Sequence, residues 1–213
     1  MIKIKNKKGL ALYRSGSGFT LLELLVAMGI FTLISGAVTY LITDGLRYSR
    51  IIWDQLEGQS EVRKVLSEVV NDVRRAETSS TGAYPIESAS KYSLVFYANI
   101  DVDSFREKVR YYLEGTNLKK GVTKPSGSPL IYNSGNEKIV ILAHNVINIS
   151  KNQPVFSFYA ESYQGTGNAL SEPITTTDVH VVRVQLEIER DANKSPVPIR
   201  GESLTQIRNL KTN

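Results

Sequence analysis

The most marked pattern in the chain is a continuous apolar run near its N-terminus. Phe19–Ile42 reads FTLLELLVAMGIFTLISGAVTYLI and contains one charged residue, Glu23. An α-helix of this length extends roughly 36 Å, which exceeds the ~30 Å thickness of a hydrocarbon core. Because helices in soluble cores seldom lack a polar face over such a distance, the run predicts a transmembrane helix over residues 19–42.

Beyond the apolar run the pattern becomes amphipathic. No proline precedes Pro85, so we expect one long helix over residues 19–75, roughly 85 Å in length. Gly58 leaves open the alternative of two helices joined at that residue. Apolar residues recur at steps of three and four, with charged residues between them, and this predicts one helix face packed on a domain: Val62, Val65, Leu66, Val69, Val70 and Val73.

The pattern changes again to short β-type runs, and we assign residues 76–213 to a globular head domain. The last run shows period-2 alternation typical of a half-buried antiparallel strand, with Glu187 and Glu189 expected on its solvent face. We predict an α+β fold in which an antiparallel β-sheet packs on the second half of the helix. The predicted strands are Tyr92–Ala98, Val109–Leu113, Ile139–Leu142, Val155–Tyr159 and Val179–Ile188.

The distribution of charge changes this picture in two ways. The formal net charge is +5, and residues 1–18 alone supply it, so the rest of the chain is balanced. A head with balanced charge argues against nucleic-acid binding, which requires an excess of Lys and Arg on the folded surface.

Basic residues lie mainly before the apolar run, and only Arg47 and Arg50 follow it closely. This asymmetry places the N-terminus in the cytoplasm and the head outside.

The composition leaves little room for catalysis. The chain has no cysteine and only two histidines, His144 and His180. No nucleophile-elbow or phosphate-loop motif is present. We therefore expect no enzymatic activity, no catalytic residues and no cofactor. His180 is interpreted as a core or edge residue of the last predicted strand.

One segment resembles the start of a calcium loop. In Asn99–Ser104, NIDVDS, oxygen-bearing side chains alternate along the chain. Ser104 stands where such loops have glycine, and Arg110 falls at the twelfth position, where they have an acid. We interpret the segment as a polar turn between strands and expect no metal.

The position of Glu23 within the apolar run carries the most specific signal. A plain membrane anchor explains the run and its basic leader, but not a costly carboxylate at this position. The decapeptide Gly18–Ala27, GFTLLELLVA, resembles the class III signal of type IV prepilins and type II secretion pseudopilins. The resemblance implies that a prepilin peptidase removes the leader 1–18 by cleaving between Gly18 and Phe19 and then methylates the nitrogen of Phe19. It also implies that Glu23 pairs with the terminal amine of a neighbouring subunit during assembly.

Later segments look like the J-type minor pseudopilins and W-type minor pilins. The resemblance implies a pilin-like subunit that assembles into, or primes, a type II secretion pseudopilus or a type IV pilus. Implied partners are the prepilin peptidase, other pilins or pseudopilins, the inner-membrane assembly platform and the membrane itself. The implied location is the bacterial inner membrane, then the filament. The alternative is a membrane-anchored binding module or envelope protein that is not incorporated into a filament. The segments are Val109–Leu113, Leu142–Val146, Phe156–Tyr159, Val179–Glu189 and Thr205–Lys211.

Overall fold

The structure, a computed structural model, describes residues 18–189 and 198–210. The chain divides into two compact units, Met1–Ser49 and Arg50–Asn213. Helix α1, Leu21–Arg74, begins in the first unit and ends in the second. An antiparallel β region follows it, so the predicted α+β, pilin-like fold is confirmed.

The second part of α1 presents the predicted apolar face to the core. All six residues of that face are buried, and Val69 is fully inaccessible. Gly58 is helical and buried, so the alternative of a break at this residue is wrong. After the helix ends at Arg74, Ala76 forms a β-bridge with Ala98.

In residues 18–189 and 198–210, eight antiparallel strands form two sheets rather than the single sheet predicted. The first sheet has the order β1-β2-β3-β4-β5 and the second the order β6-β7-β8. Short 3₁₀ turns occur at Ser134–Asn136, Thr176–Asp178 and Arg208–Leu210. The strands are β1 Ile86–Ser90, β2 Ser93–Ala98, β3 Glu107–Glu114, β4 Asn117–Thr123, β5 Lys138–Ala143, β6 Phe156–Tyr159, β7 Val181–Ile188 and β8 Ile199–Gln206.

Polar contacts tie α1 to the first sheet. The buried Tyr111 hydroxyl donates to Asp72 Oδ2 at 2.7 Å. Lys120 Nζ lies 2.7 Å from the same oxygen and 2.8 Å from Glu68 Oε1. Burial lowers the pKa of Lys120, but its hydrogen bonds to Asp72 and Glu68 outweigh burial and raise the pKa overall. These charges lie beside the apolar core because each has a partner.

The second sheet approaches α1 through a glycine. A Cβ at Gly201 would lie 2.4 Å from Val62 Cγ1 and 2.9 Å from Leu66 Cδ1. Since real carbon atoms do not approach this closely, the missing side chain is what lets β8 lie against the helix. One apolar core joins the helix to both sheets.

One expectation about the last predicted strand is wrong. Glu187 is buried rather than on the solvent face. It pairs with Lys151, and its N–H donates to Asn148 Oδ1 at 2.9 Å, so the chain before β6 covers this face. His180 precedes β7, which begins at Val181, and its imidazole is partly exposed with Nε2 4.0 Å from Glu161.

Candidate functional site

The start of α1 is closed by a reciprocal pair of side chains. Thr20 stands directly before the first helical residue, and Glu23 lies in the first turn. The Thr20 N–H and hydroxyl donate to Glu23 Oε2 at 2.9 and 3.0 Å. The Glu23 N–H donates to Thr20 Oγ1 at 3.3 Å. This is a capping box, in which each side chain satisfies a backbone donor that the helix leaves unpaired.

The residues on either side of the predicted cleavage point lie outside the helix. Gly18 and Phe19 are both exposed, and the Phe19 side chain is 87% accessible. No atom of the described chain lies within 4 Å of the place that a Cβ on Gly18 would take. The peptide bond between them is therefore open to an enzyme, although cleavage and methylation remain predictions.

The first part of α1 exposes apolar side chains along its length. In the apolar window of the helix no residue is buried, and the helix has the length and composition needed to cross a membrane. Exposed apolar side chains continue beyond the predicted span at Ile52, Trp53 and Leu56. The sequence reading placed no functional residue there, although the adjacent Ile51, Ile52 and Trp53 are a visible apolar cluster.

The two histidines form no catalytic arrangement within the described ranges 18–189 and 198–210. His144 Nδ1 lies 2.9 Å from Asn117 Oδ1 on the surface. His180 Nδ1 lies 3.2 Å from the Asp178 carbonyl oxygen. Neither of these hydrogen bonds joins a histidine to a serine or threonine hydroxyl.

The comparison with protein families agrees with this site. Residues 13–39 match the family described as the prokaryotic N-terminal methylation motif. The match includes Gly18, Phe19 and Glu23. No curated protein matches the chain. The motif indicates a type IV pilin-like protein, and it implies processing by a prepilin peptidase and assembly with other pilins.

The same motif bears on location. A class III signal followed by a long apolar helix fits anchoring in the inner membrane. It also suggests a structural subunit rather than an enzyme.

Proposed function

We propose that this chain is a minor pilin or minor pseudopilin that is cleaved, methylated and built into, or used to prime, a filament. The observation that carries the proposal is the methylation motif at residues 13–39, with Glu23 at the fifth position after the predicted cut. The α+β architecture and the exposed apolar helix support it, because both are needed for a subunit whose helix packs among others.

Maturation begins with insertion of the helix across the inner membrane. Basic residues of the leader stay in the cytoplasm, which keeps the bond between Gly18 and Phe19 on that side. Hydrolysis of this bond by one water releases the leader with a carboxyl group on Gly18 and leaves an amine on Phe19. A soluble methyl donor then transfers its methyl group to this nitrogen, which loses one proton. Removal of residues 1–18 takes away the whole net charge of +5.

Assembly then depends on the carboxylate of Glu23. Within the described chain, both hydrogen bonds that its carboxylate accepts are made to Oε2, from Thr20. Oε1 accepts no hydrogen bond from the described residues and is left for a second partner, and the terminal amine of a neighbouring Phe19 supplies the opposite charge. An ammonium and a carboxylate attract strongly where water is excluded, so the pair fixes the axial register between subunits.

The exposed apolar side chains supply the packing surface of the filament. When a subunit leaves the bilayer, contact with lipid is replaced by contact with the helices of other subunits. This exchange keeps the apolar surface out of water throughout. Trp53 and Leu56, 69% and 52% exposed, extend the surface beyond the span.

The proposal is tested by replacing Glu23 in cells that carry the native assembly system. We expect Glu23→Ala to be processed normally but to be absent from sheared filaments or from the assembled pseudopilus. Asp54→Ala is the matched control, because Asp54 is another exposed acid of the same helix. Wild-type incorporation of Glu23→Ala would contradict the proposed pairing.

Mass spectrometry of the mature N-terminus tests the processing step in the same cells. The expected terminus is N-methylated Phe19. An intact leader, with a chain that stays in the membrane, would instead support a membrane-anchored binding module.

The phenotype of a deletion strain separates a secretion pseudopilus from a pilus, since loss of secreted enzymes and loss of surface fibres are different defects.

A further inference from the structure

The loop between β2 and β3 brings three carboxylates together. Asp101 and Asp103 lie in the loop, and Glu107 is the first residue of β3. One oxygen from each of these carboxylates lies within 4.8 Å of the others. Two ligands of a single Ca²⁺, each 2.3–2.6 Å from the ion, are at most about 5 Å apart. The cluster therefore has the dimensions of a calcium site.

The loop itself is held in shape by the two aspartates. Asp101 Oδ1 accepts the N–H of Asp103 at 3.0 Å, and Asp103 Oδ1 accepts the N–H of Phe105 at 2.8 Å. The Asn99 amide donates to the Asp103 carbonyl oxygen at 2.7 Å. These bonds use Oδ1 of each aspartate, so the two Oδ2 atoms are left to face a cation, and the Lys124 ammonium contacts both of them.

Glu107 supplies an independent reason for a cation at this place. Alternation along β3 puts it on the same inner face as Val109 and Tyr111, and it is fully buried. Its Oε2 accepts the N–H of Ile100 at 3.1 Å, but its Oε1 has no hydrogen-bond partner in the described chain. Burial, with the nearby charges of Asp101 and Asp103, raises the pKa of Glu107. A buried carboxylate oxygen without a partner is costly.

Lys124 compensates only part of this charge. Its ammonium contacts Asp101 and lies 2.7 Å from Asp103 Oδ2. No ion pair of the described residues includes Glu107. The Lys124 side chain is 55% exposed, so it is able to move into solvent when an ion of higher charge takes its place.

We propose that this loop binds a divalent cation, Ca²⁺, through the carboxylates of Asp101, Asp103 and Glu107. The buried Oε1 of Glu107 is the inner ligand, and the exposed aspartates complete the protein side of the site. Ca²⁺ suits an irregular set of oxygen ligands open to water, whereas Mg²⁺ demands near-octahedral geometry. Binding fastens the loop to the start of β3 through Glu107 and displaces the Lys124 ammonium.

Titration of the purified full chain in detergent, after treatment with a chelator, tests the site. We expect Ca²⁺ to bind the wild type at one ion per chain and to raise its unfolding temperature. Glu107→Gln keeps the shape of the side chain and removes its charge, so it should weaken binding by about tenfold or more. Glu114→Gln is the matched control, because Glu114 is an exposed acid at the other end of β3 and should bind as the wild type does.

Two further variants keep the test decisive. Asp101→Asn with Asp103→Asn changes exposed positions only, so it should fold and lose Ca²⁺ binding. Lys124→Gln removes the competing ammonium and should bind Ca²⁺ more tightly than the wild type. A wild-type chain that binds no Ca²⁺, equal binding by Glu107→Gln, or unchanged affinity in Lys124→Gln would overturn the proposal. None of these results depends on whether the chain enters a filament.

Discussion

At the scale of single residues, the two carboxylate oxygens of Glu23 differ: one caps the helix, and the other is the one to which the proposed function assigns the subunit contact. Oε2 caps the helix through Thr20, and Oε1, which accepts no hydrogen bond from the described residues, is left for the proposed partner. The resemblance to prepilin signals names Glu23 but gives no role to Thr20. The structure adds Thr20 as the residue that orients the carboxylate, because its hydroxyl both donates to Glu23 and accepts from it.

Replacing Thr20 should therefore weaken assembly without preventing processing. Thr20→Val removes the hydroxyl at nearly constant volume, and loss of one helix cap should lower the amount of subunit in filaments by roughly fivefold. Thr20→Ser keeps the hydroxyl and should assemble as the wild type does. Quantitative blotting of sheared filaments measures the ratio, and mass spectrometry of the N-terminus checks that cleavage continues. Equal incorporation of the two variants would show that the hydroxyl has no part in positioning Glu23.

At the scale of elements, the sequence predicts those whose pattern is strong along the chain itself. The helix face from Val62 to Val73 has a clear period, and all of its members are buried. Strand β4, NLKKGVT, contains two lysines and a glycine and has no such pattern. It forms because it pairs on both sides, with β3 and with β5, and Lys120 finds its acids on α1.

Contacts between residues far apart in the chain explain the other features that the sequence pattern does not predict. β1 is largely polar, and β8 has a weak alternation broken by Gly201. The burial of Glu187 depends on Asn148 and Lys151, which no local pattern connects to it. Likewise, Asp101 and Asp103 are visible as an acidic turn, but the orphaned oxygen of Glu107 appears only when β3 is placed in the sheet.

The packing of β8 on α1 gives a prediction at this scale. Gly201→Ala puts a methyl group against Val62 and Leu66, so overpacking should cost about 1–3 kcal/mol and lower the unfolding temperature by roughly 3–8 °C. Glu202→Ala, an exposed neighbour on the same strand, is the control and should change it little. The double variant Gly201→Ala with Val62→Ala should lose less free energy of unfolding than the sum of the losses in the two single variants. Purely additive losses would mean that these residues do not press on each other.

At the scale of the whole molecule, apolar side chains form two populations with different fates. Many of those in the second unit build a core with two sheets, whereas those of the first unit are exposed along the helix, as are Ile52, Trp53 and Leu56 at the start of the second unit. In an isolated chain in water, the exposed apolar side chains of the helix would contribute nothing to folding stability. This exposure fits the proposed function, in which the helix contacts lipid first and other helices after assembly. We therefore expect the first unit to require lipid or detergent and the second unit to fold in water.

A fragment that begins at Arg50 should therefore be soluble without detergent and unfold in one cooperative transition. It retains every buried residue of α1, from Gly58 onward, and loses the apolar window of the helix. Circular dichroism should give the fragment an unfolding temperature within a few degrees of the head's transition in the full chain held in detergent micelles. A fragment beginning at Thr78 is the comparison, because it lacks the Val62–Val73 face and should fail to fold, since the core then loses one of its walls. If the Arg50 fragment aggregated, or if the Thr78 fragment folded equally well, the head would not depend on the second half of the helix for its core.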